Sequence, residues 1–549
     1  MVDLIQVNKP LWTERLYPAR GGQDHLGVGS VVTDRMLPTL APGINVLTRH
    51  PRYWSFYAFV IDEFWNSDSP RTRAAFRTFL RRKEFIFAAA NLLLEPEART
   101  QVIGTRLVGP LVESAPAKLR ADFKYMKSSG GGYGLYYATA MQTMGVVRLA
   151  DPDLNLPVDA LTPEVGKPLA YAFREAIRGT TYWKKYLEKD EIPRGVVEEY
   201  GETCALWKLR DRAVDRPLVV NAFLHGGRPE MAAARRKTLQ LMLEISKQTA
   251  KVGVSEAEFR SLLLYGSVLD DSGARVLSKF SPPAELASTA RQWRLTQLRE
   301  MFNWSLNGLW QWLCEWGTAN NNIDMPIAIQ QLEVTIKRMT VRSIRGLRSS
   351  PSKPIEQLVE EIAVASDVSQ SLDGKWNALA DVTEFKLMKI VEESDKGGSE
   401  KLGALITMYV LTLLRIRGVQ TEQSAEAMLS EGGMRRVGMQ WALQSLSRDI
   451  QTEKTIAETV LRILRDNVLT QHERVAMAKL PDDTFRFRRE GDSIRFFDQW
   501  TDYRMNNSRF ISIATACGDF GWTDYLDLPN RKLSHEGEQI RSAGDLGTK

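Results

Sequence analysis

Over most of the chain the apolar residues recur at steps of three and four, the spacing of helices rather than strands. The densest case is Arg52 to Trp65. Tyr53, Phe56, Tyr57, Val60 and Phe64 make one apolar stripe, and Trp54, Ala58, Ile61 and Trp65 a second beside it. A helix apolar on most of its circumference sits in a core, so this one is expected at the centre of an N-terminal domain. A glycine-rich turn from Gly21-Gly22 to Gly29, a short helical piece from Ser30 to Met36 and the turn Ala41-Pro42-Gly43 precede it.

Other helices follow the same rule. Ser69-Pro70 reads as an N-cap with proline at the first helical position, opening a helix that carries Arg73, Arg77 and Arg81 on a solvated face. Gly130-Gly131-Gly132 precedes a helix with Tyr136, Tyr137, Met141 and Met144. No lysine and hydroxyl residue follow as a P-loop requires, so these glycines read as a turn that lets a helix pack closely. Pro229 to Val252 is a helix with Arg235, Arg236 and Lys237 outward. Trp293, Trp304, Trp310, Trp312 and Trp316 lie at helical spacing in an apolar stretch and read as core. Leu402 to Arg417 is nearly all apolar.

Two stretches share one layout. In the first, a helix ends at Gly145-Val146-Val147, a polar connection follows, and Leu161-Thr162-Pro163-Glu164-Val165-Gly166 leads into the next helix. In the second, Ser508 to Cys517 ends at Gly518-Asp519-Phe520-Gly521-Trp522 and returns at Leu533-Ser534-His535-Glu536-Gly537. The layout is similar to the wing region of winged-helix modules. The hydroxyl-to-Glu spacing is one short of a capping box. The clearest strand signal is Thr484 to Phe497, where Phe485 and Phe487 alternate with Arg486 and Arg488 before the turn Glu490-Gly491-Asp492. Ser349 to Pro354 reads as a linker. The expected fold is therefore mainly α: a multi-domain helical protein with small β-hairpin and winged-helix-like elements. The expected divisions are 1–178, aromatic-rich and winged-helix-like at its end, 179–348 and 355–480, both helical, and 481–549, the hairpin and winged-helix-like module.

Length and composition narrow the class. A chain of 549 residues holds several domains. Cys204, Cys314 and Cys517 are far apart, with no CxxC pair and no disulfide framework, which points to a reduced, cytoplasmic setting. The opening MVDLIQVNKPLW lacks the basic and apolar segments of a signal peptide, and no apolar run is long enough to span a bilayer, so no membrane partner is expected. The net charge of +6 matters only where it clusters. It does so twice. Arg338, Arg342 and Arg345 are spaced four and three apart, as on one helical face, flanked by Lys337 and Arg348, with no carboxylate from Thr335 to Lys353. Arg486, Arg488 and Arg495 on the hairpin, with Arg504 and Arg509 after it, make the second patch. Both are candidate nucleic-acid contacts, for DNA or RNA, because a bare guanidinium face repels itself until something anionic covers it.

Catalytic signatures are scarce. The histidines His25, His50, His225, His472 and His535 have no metal spacing, and neither a Walker motif nor a GxSxG elbow occurs. No metal or cofactor is expected. Asp381, Glu384 and Lys386 have the composition of a nuclease trio, yet on one helix they read as surface charge. Asp24 and His25 are the remaining acid–base pair.

The stretch LPTLAPGINVLTRHPRYWSFYAFVIDEF, Leu37 to Phe64, resembles the N-terminal motif of uncharacterised helical proteins encoded in bacterial phage-defence and mobile-element loci. The resemblance covers a small fraction of the chain and implies a setting, not a reaction. Within it Arg49 and Arg52 are expected to pair with acidic neighbours, a structural or partner-facing role shared with Tyr53 and Tyr57. The expected function is that of a non-catalytic subunit of a defence or mobile-element complex. It would bind protein subunits of the same operon, an ATPase or nuclease among them, and nucleic acid. The alternatives are a metal-dependent nuclease or nucleotide-processing effector, and a purely structural scaffold for an ATPase partner.

Overall fold

The Arg52–Asn66 helix is buried on nearly every side, as its double stripe requires. It packs against the helices Arg73–Leu94 and Gly166–Ile177. Phe56 stacks on Phe87 with ring centroids 4.0 Å apart, and Tyr53 on Tyr57 at 5.5 Å. The computed structural model describes residues 24–94, 102–114, 116–121, 128, 130–320, 325–368, 376–417, 437–480, 484–497 and 502–547. Gly21 and Gly22 of the opening turn lie outside them. Helices dominate, and the sheets among the described residues are small and antiparallel. The fold is mainly α. No helix among these residues is long and apolar enough to cross a membrane.

The chain divides into two compact units. One comprises Met1–Met36, Arg260–Val276 and Arg291–Asn506, the other Leu37–Phe259, Leu277–Ala290 and Asn507–Lys549. The second is held by charge placed deep in its core. Arg52 is fully buried and makes a two-pronged pair with Asp215, at 3.2 Å from Nε and 3.0 Å from Nη2. Its remaining nitrogen donates to the Ala205 carbonyl at 2.7 Å, and the Ser55 hydroxyl donates to Asp215 at 2.6 Å. Arg235 is also buried, not outward as its run of neighbours implies, and donates to the Pro42, Phe223 and Gly226 carbonyls. That pins the Ala41-Pro42-Gly43 turn. Without a carboxylate beside it, burial lowers the Arg235 guanidinium to about 9.

Both stretches adopt the shared layout. In the first copy Gly145 is left-handed (φ 69°), Val147 pairs with Leu161, Thr162 N–H donates to Val146 O at 3.0 Å, and Gly166 N–H donates to the Thr162 hydroxyl. In the second Gly521 has φ 69°, Thr523 bridges Leu533, Ser534 N–H donates to Trp522 O at 2.9 Å, and Gly537 N–H donates to the Ser534 hydroxyl. Ser534 is the N-cap of the second copy's helix, whereas in the first the N-cap is Val165 and Thr162, three residues ahead of it, takes the first helical N–H. In both copies the glycine lies against that carbonyl: a Cβ would meet Val146 O at 2.2 Å or Trp522 O at 1.9 Å.

In the first unit the Trp293–Trp316 stretch of the helix Ala287–Ala319 is core except at the half-buried Arg294 and Gln311. Trp312 donates to Gly398 O and Trp316 to the Thr335 hydroxyl. Glu315, beneath them, accepts from Lys401 at 2.7 and 2.9 Å. Ser349 to Pro354 lies inside this unit, tied by Ile355 N–H to Lys454 O and Ile456 N–H to Lys353 O.

Two outcomes follow for denaturant midpoints. Asp215→Ala leaves a buried guanidinium unpaired and is expected to cost about 3–5 kcal/mol. Gly537→Ala is expected to cost about 2 kcal/mol or more through its clash with Trp522 O, whereas Gly179→Ala, with open space around its Cα, should stay within about 0.5 kcal/mol of the parent.

Candidate nucleic-acid interface

The helix Ile329–Lys337 stops at its last basic residue, and Arg338 already takes the C-cap position. The spacing of Arg338, Arg342 and Arg345 is therefore not that of a helical face: residues 338–348 form a loop. The reason lies in the inward side chains. Met339, Val341, Ile344 and Leu347 are all buried, and the step of two from Met339 to Val341 breaks the three-and-four spacing of a helical face. Gly346 takes φ 88°, closing the turn. The Arg348 and Ser349 N–H groups donate to one Glu361 oxygen at 2.9 and 3.0 Å. Burial opposes the charge on Glu361, but these donors outweigh it and hold the carboxyl below its usual range. Below the loop, the helix Ser399–Ile416 presents Gly403, whose missing side chain admits Thr340 O.

With the apolar residues inward, Lys337, Arg338, Arg342, Arg345 and Arg348 all point to solvent. Arg345, largely exposed, pairs with the half-buried Asp381 at 3.0 Å, a contact of small energetic weight. The other four make no ion pair among the described residues. The loop thus displays positive charge on a fixed backbone.

The hairpin is present, with Phe487–Glu490 paired to Ser493–Phe496 and Ile327–Ala328 added beside the second strand. Its charge is handled differently. Arg488 and Arg495 face each other across the strands and both donate to Glu490, which they draw down to about 2. Arg489 pairs with Glu473 at 2.6 Å. Arg486 is half-buried and donates to the Phe485 carbonyl. Arg504 is exposed. Arg509 is buried, left-handed at φ 61°, and donates to Ala41 O at 3.3 Å. The second patch is therefore mostly neutralised locally or withdrawn from the surface. Since the hairpin abuts the start of the nine-residue Ile329–Lys337 helix, it lies about 13 Å along that axis from the arginine loop.

The remaining sequence candidates are drawn into structural duty. Arg52, Tyr53 and Tyr57 are core, while among the described residues Arg49 forms no ion pair: it donates to the Val46 carbonyl and feels the charge of Glu256. Asp24 accepts from the Val28, Gly29 and Ser30 N–H groups and so folds its own loop. His25 stacks on Trp310 at 4.2 Å and is pushed down to about 3, by burial first and then by His472. His472 accepts from Arg486 N–H through Nε2, so its Nδ1 carries the proton and donates to His25 O. The trio separates: Asp381 is on Arg345, Lys386 donates to Ala380 O, and Glu384 is fully buried against Arg415 and the Tyr265 hydroxyl. Arg415 and Arg294 sandwich Trp376 at 4.1 and 3.8 Å. No group of three metal-ligating side chains occurs among the described residues.

The glycine run explains itself through a residue the sequence did not single out. Glu84 accepts from Gly132 N–H at 3.2 Å and from Tyr133 N–H at 2.8 Å, in the place a bound phosphate would take. A Cβ on Gly131 would lie 2.2 Å from the same carboxylate. Burial raises the Glu84 carboxyl to about 7 despite these donors.

A carboxyl that holds its proton more tightly when folded weakens the fold as pH rises from its unfolded value to its folded one. Between about pH 4.5 and 7 the parent should lose roughly 3 kcal/mol through Glu84. The difference in unfolding free energy between Glu84→Gln and the parent should shift by that amount over this window and stay flat above it.

Compared with protein-family models, with curated proteins and with solved structures, the chain matches none.

Proposed function

We propose that this protein is a non-catalytic component of a bacterial defence or mobile-element assembly that grips nucleic-acid backbone with the arginine loop of its first unit. The observation that carries the reading is the loop itself. Lys337, Arg338, Arg342 and Arg348 are exposed without ion pairs among the described residues, on a backbone fixed by four buried apolar side chains and by Glu361. Cationic side chains held this way meet phosphates without a folding step, and the binding is driven by release of counterions. DNA and RNA share that backbone chemistry, and no base-reading element is invoked.

The setting rests on the Leu37–Phe64 motif. The two glycine-hooked helix pairs are proposed as winged-helix-like docking modules for protein subunits of the same operon, an ATPase or a nuclease among them. A cytoplasmic location suits three buried free thiols. The nuclease alternative loses its best residues, because Asp381, Glu384 and Lys386 are each committed elsewhere.

Fluorescence anisotropy with a labelled duplex and a labelled RNA, over a salt series, tests the proposal. Four phosphate contacts give a log–log salt slope of roughly −3 to −4. The triple variant Arg338→Ala, Arg342→Ala, Arg348→Ala should flatten it by about 3 and weaken binding without regard to sequence. Arg488→Ala, whose guanidinium is already held by Glu490, should leave the slope unchanged. No binding of either nucleic acid at low salt would end the proposal.

A further inference from the structure

In the second unit, His50 follows the turn that opens the Arg52–Asn66 helix and is almost fully buried. Its Nδ1 lies 2.7 Å from Asp519 Oδ2. Asp519 is the last residue of the helix Phe510–Asp519 and is itself fully buried; its other oxygen accepts from the Tyr525 hydroxyl at 2.8 Å. A carboxylate placed like this only accepts, so in the neutral imidazole the proton is on Nδ1 and the lone pair is on Nε2. Nε2 has no hydrogen-bond partner among the described residues, is not sealed from solvent, and belongs to a side chain that lines a cleft of about 300 Å³.

The rest of the cleft says what would fit. Ile511 and Thr515 occupy the same helix face as Asp519, at steps of four, and both line it. Phe510 and Leu526 add apolar wall. The other charged side chains lining it are carboxylates, Glu256 and Asp527, and no lysine or arginine lines it. An anion entering would meet like charge with no cation on the walls to receive it, the nearby Arg49 being engaged electrostatically by Glu256. An apolar body with a single donor would cover the walls and satisfy the imidazole.

We propose that this cleft is a binding site for a small uncharged or cationic molecule with an aromatic or aliphatic body and an N–H or O–H group that donates to His50 Nε2. Asp519 is a positioning residue: it fixes the ring tautomer, and Tyr525 fixes Asp519. The site is independent of the arginine loop and stands whether or not nucleic acid binds.

The full-length chain can be probed by acylation with diethyl pyrocarbonate. Nε2 attacks one carbonyl, an ethoxycarbonyl–imidazole bond forms as the bond from that carbon to the bridging oxygen breaks, and the ethyl carbonate released takes the Nδ1 proton and falls to carbon dioxide and ethanol. Mass spectrometry of the His50 peptide reads the rate. His50 should be acylated, and benzamide, whose dissociation constant is set by saturation-transfer NMR, should slow that step about tenfold at ten times that constant. Benzoate at the same concentration should not. Ile511→Trp fills the cleft from a partly exposed wall position and leaves the His50–Asp519 pair in place, so in this variant benzamide should protect nothing. An unreactive His50, protection by benzoate equal to that by benzamide, failure of benzamide to protect the parent, or protection that persists in Ile511→Trp would each overturn the proposal.

Discussion

The second unit depends on Arg52 and Asp215, two charges with no access to water that face each other through paired hydrogen bonds. Desolvating either alone is very costly, so the pair works only when every polar atom is answered. Here the answers come from Ala205 O and the Ser55 hydroxyl. The consequence is registry. The Arg52–Asn66 helix is apolar over most of its surface, with Asp62 and Glu63 paired only near its far end, and its first turns would slide or rotate in a greasy core at small cost. A buried fork with one acceptable partner fixes both its rotation and its depth. Arg235, donating to three carbonyls around the Ala41-Pro42-Gly43 turn, performs the same service for the segment leading into that helix.

The same device recurs in the first unit with different parts. Glu384 meets Arg415, whose guanidinium lies against Trp376, and Glu315 meets Lys401 beneath the tryptophan helix. These pairs join residues distant in sequence and lie among large apolar side chains. They supply specificity of packing, while area burial supplies the bulk of the stabilisation.

Helix periodicity was readable because it is local. The Arg52 helix, the core tryptophans and the hairpin turn at Glu490-Gly491-Asp492 follow from spacing alone. The glycine-hooked layout was readable too, since Gly145 and Gly521 must take a backbone that other residues resist. What spacing does not carry is the partner of a charge. Glu490 lies only two and five residues from Arg488 and Arg495, so its service to both follows from the hairpin register, but nothing in the spacing announces that Glu84 will fill the Gly131-Gly132 turn. Arg345 stands in a stretch free of carboxylates, and its partner Asp381 arrives from a different segment. The helical reading of Arg338 to Arg345 failed for a related reason: burial of Met339, Val341, Ile344 and Leu347 decides the backbone there, and basic spacing is incidental to it. His50 was visible only as a polar residue beside an aromatic run, because its partner Asp519 lies far along the chain.

The fixed backbone of the 338–348 loop carries a thermodynamic signature. Four apolar side chains are already out of water there, so contact with a polyanion would order little beyond a few long side chains and bury little new hydrocarbon. Heat-capacity change on association would then be slight, in contrast to a segment that folds as it binds. If binding there were driven by counterion release, with little enthalpy, its strength would change little between cold and warm, and ionic strength would be the variable that loosens it.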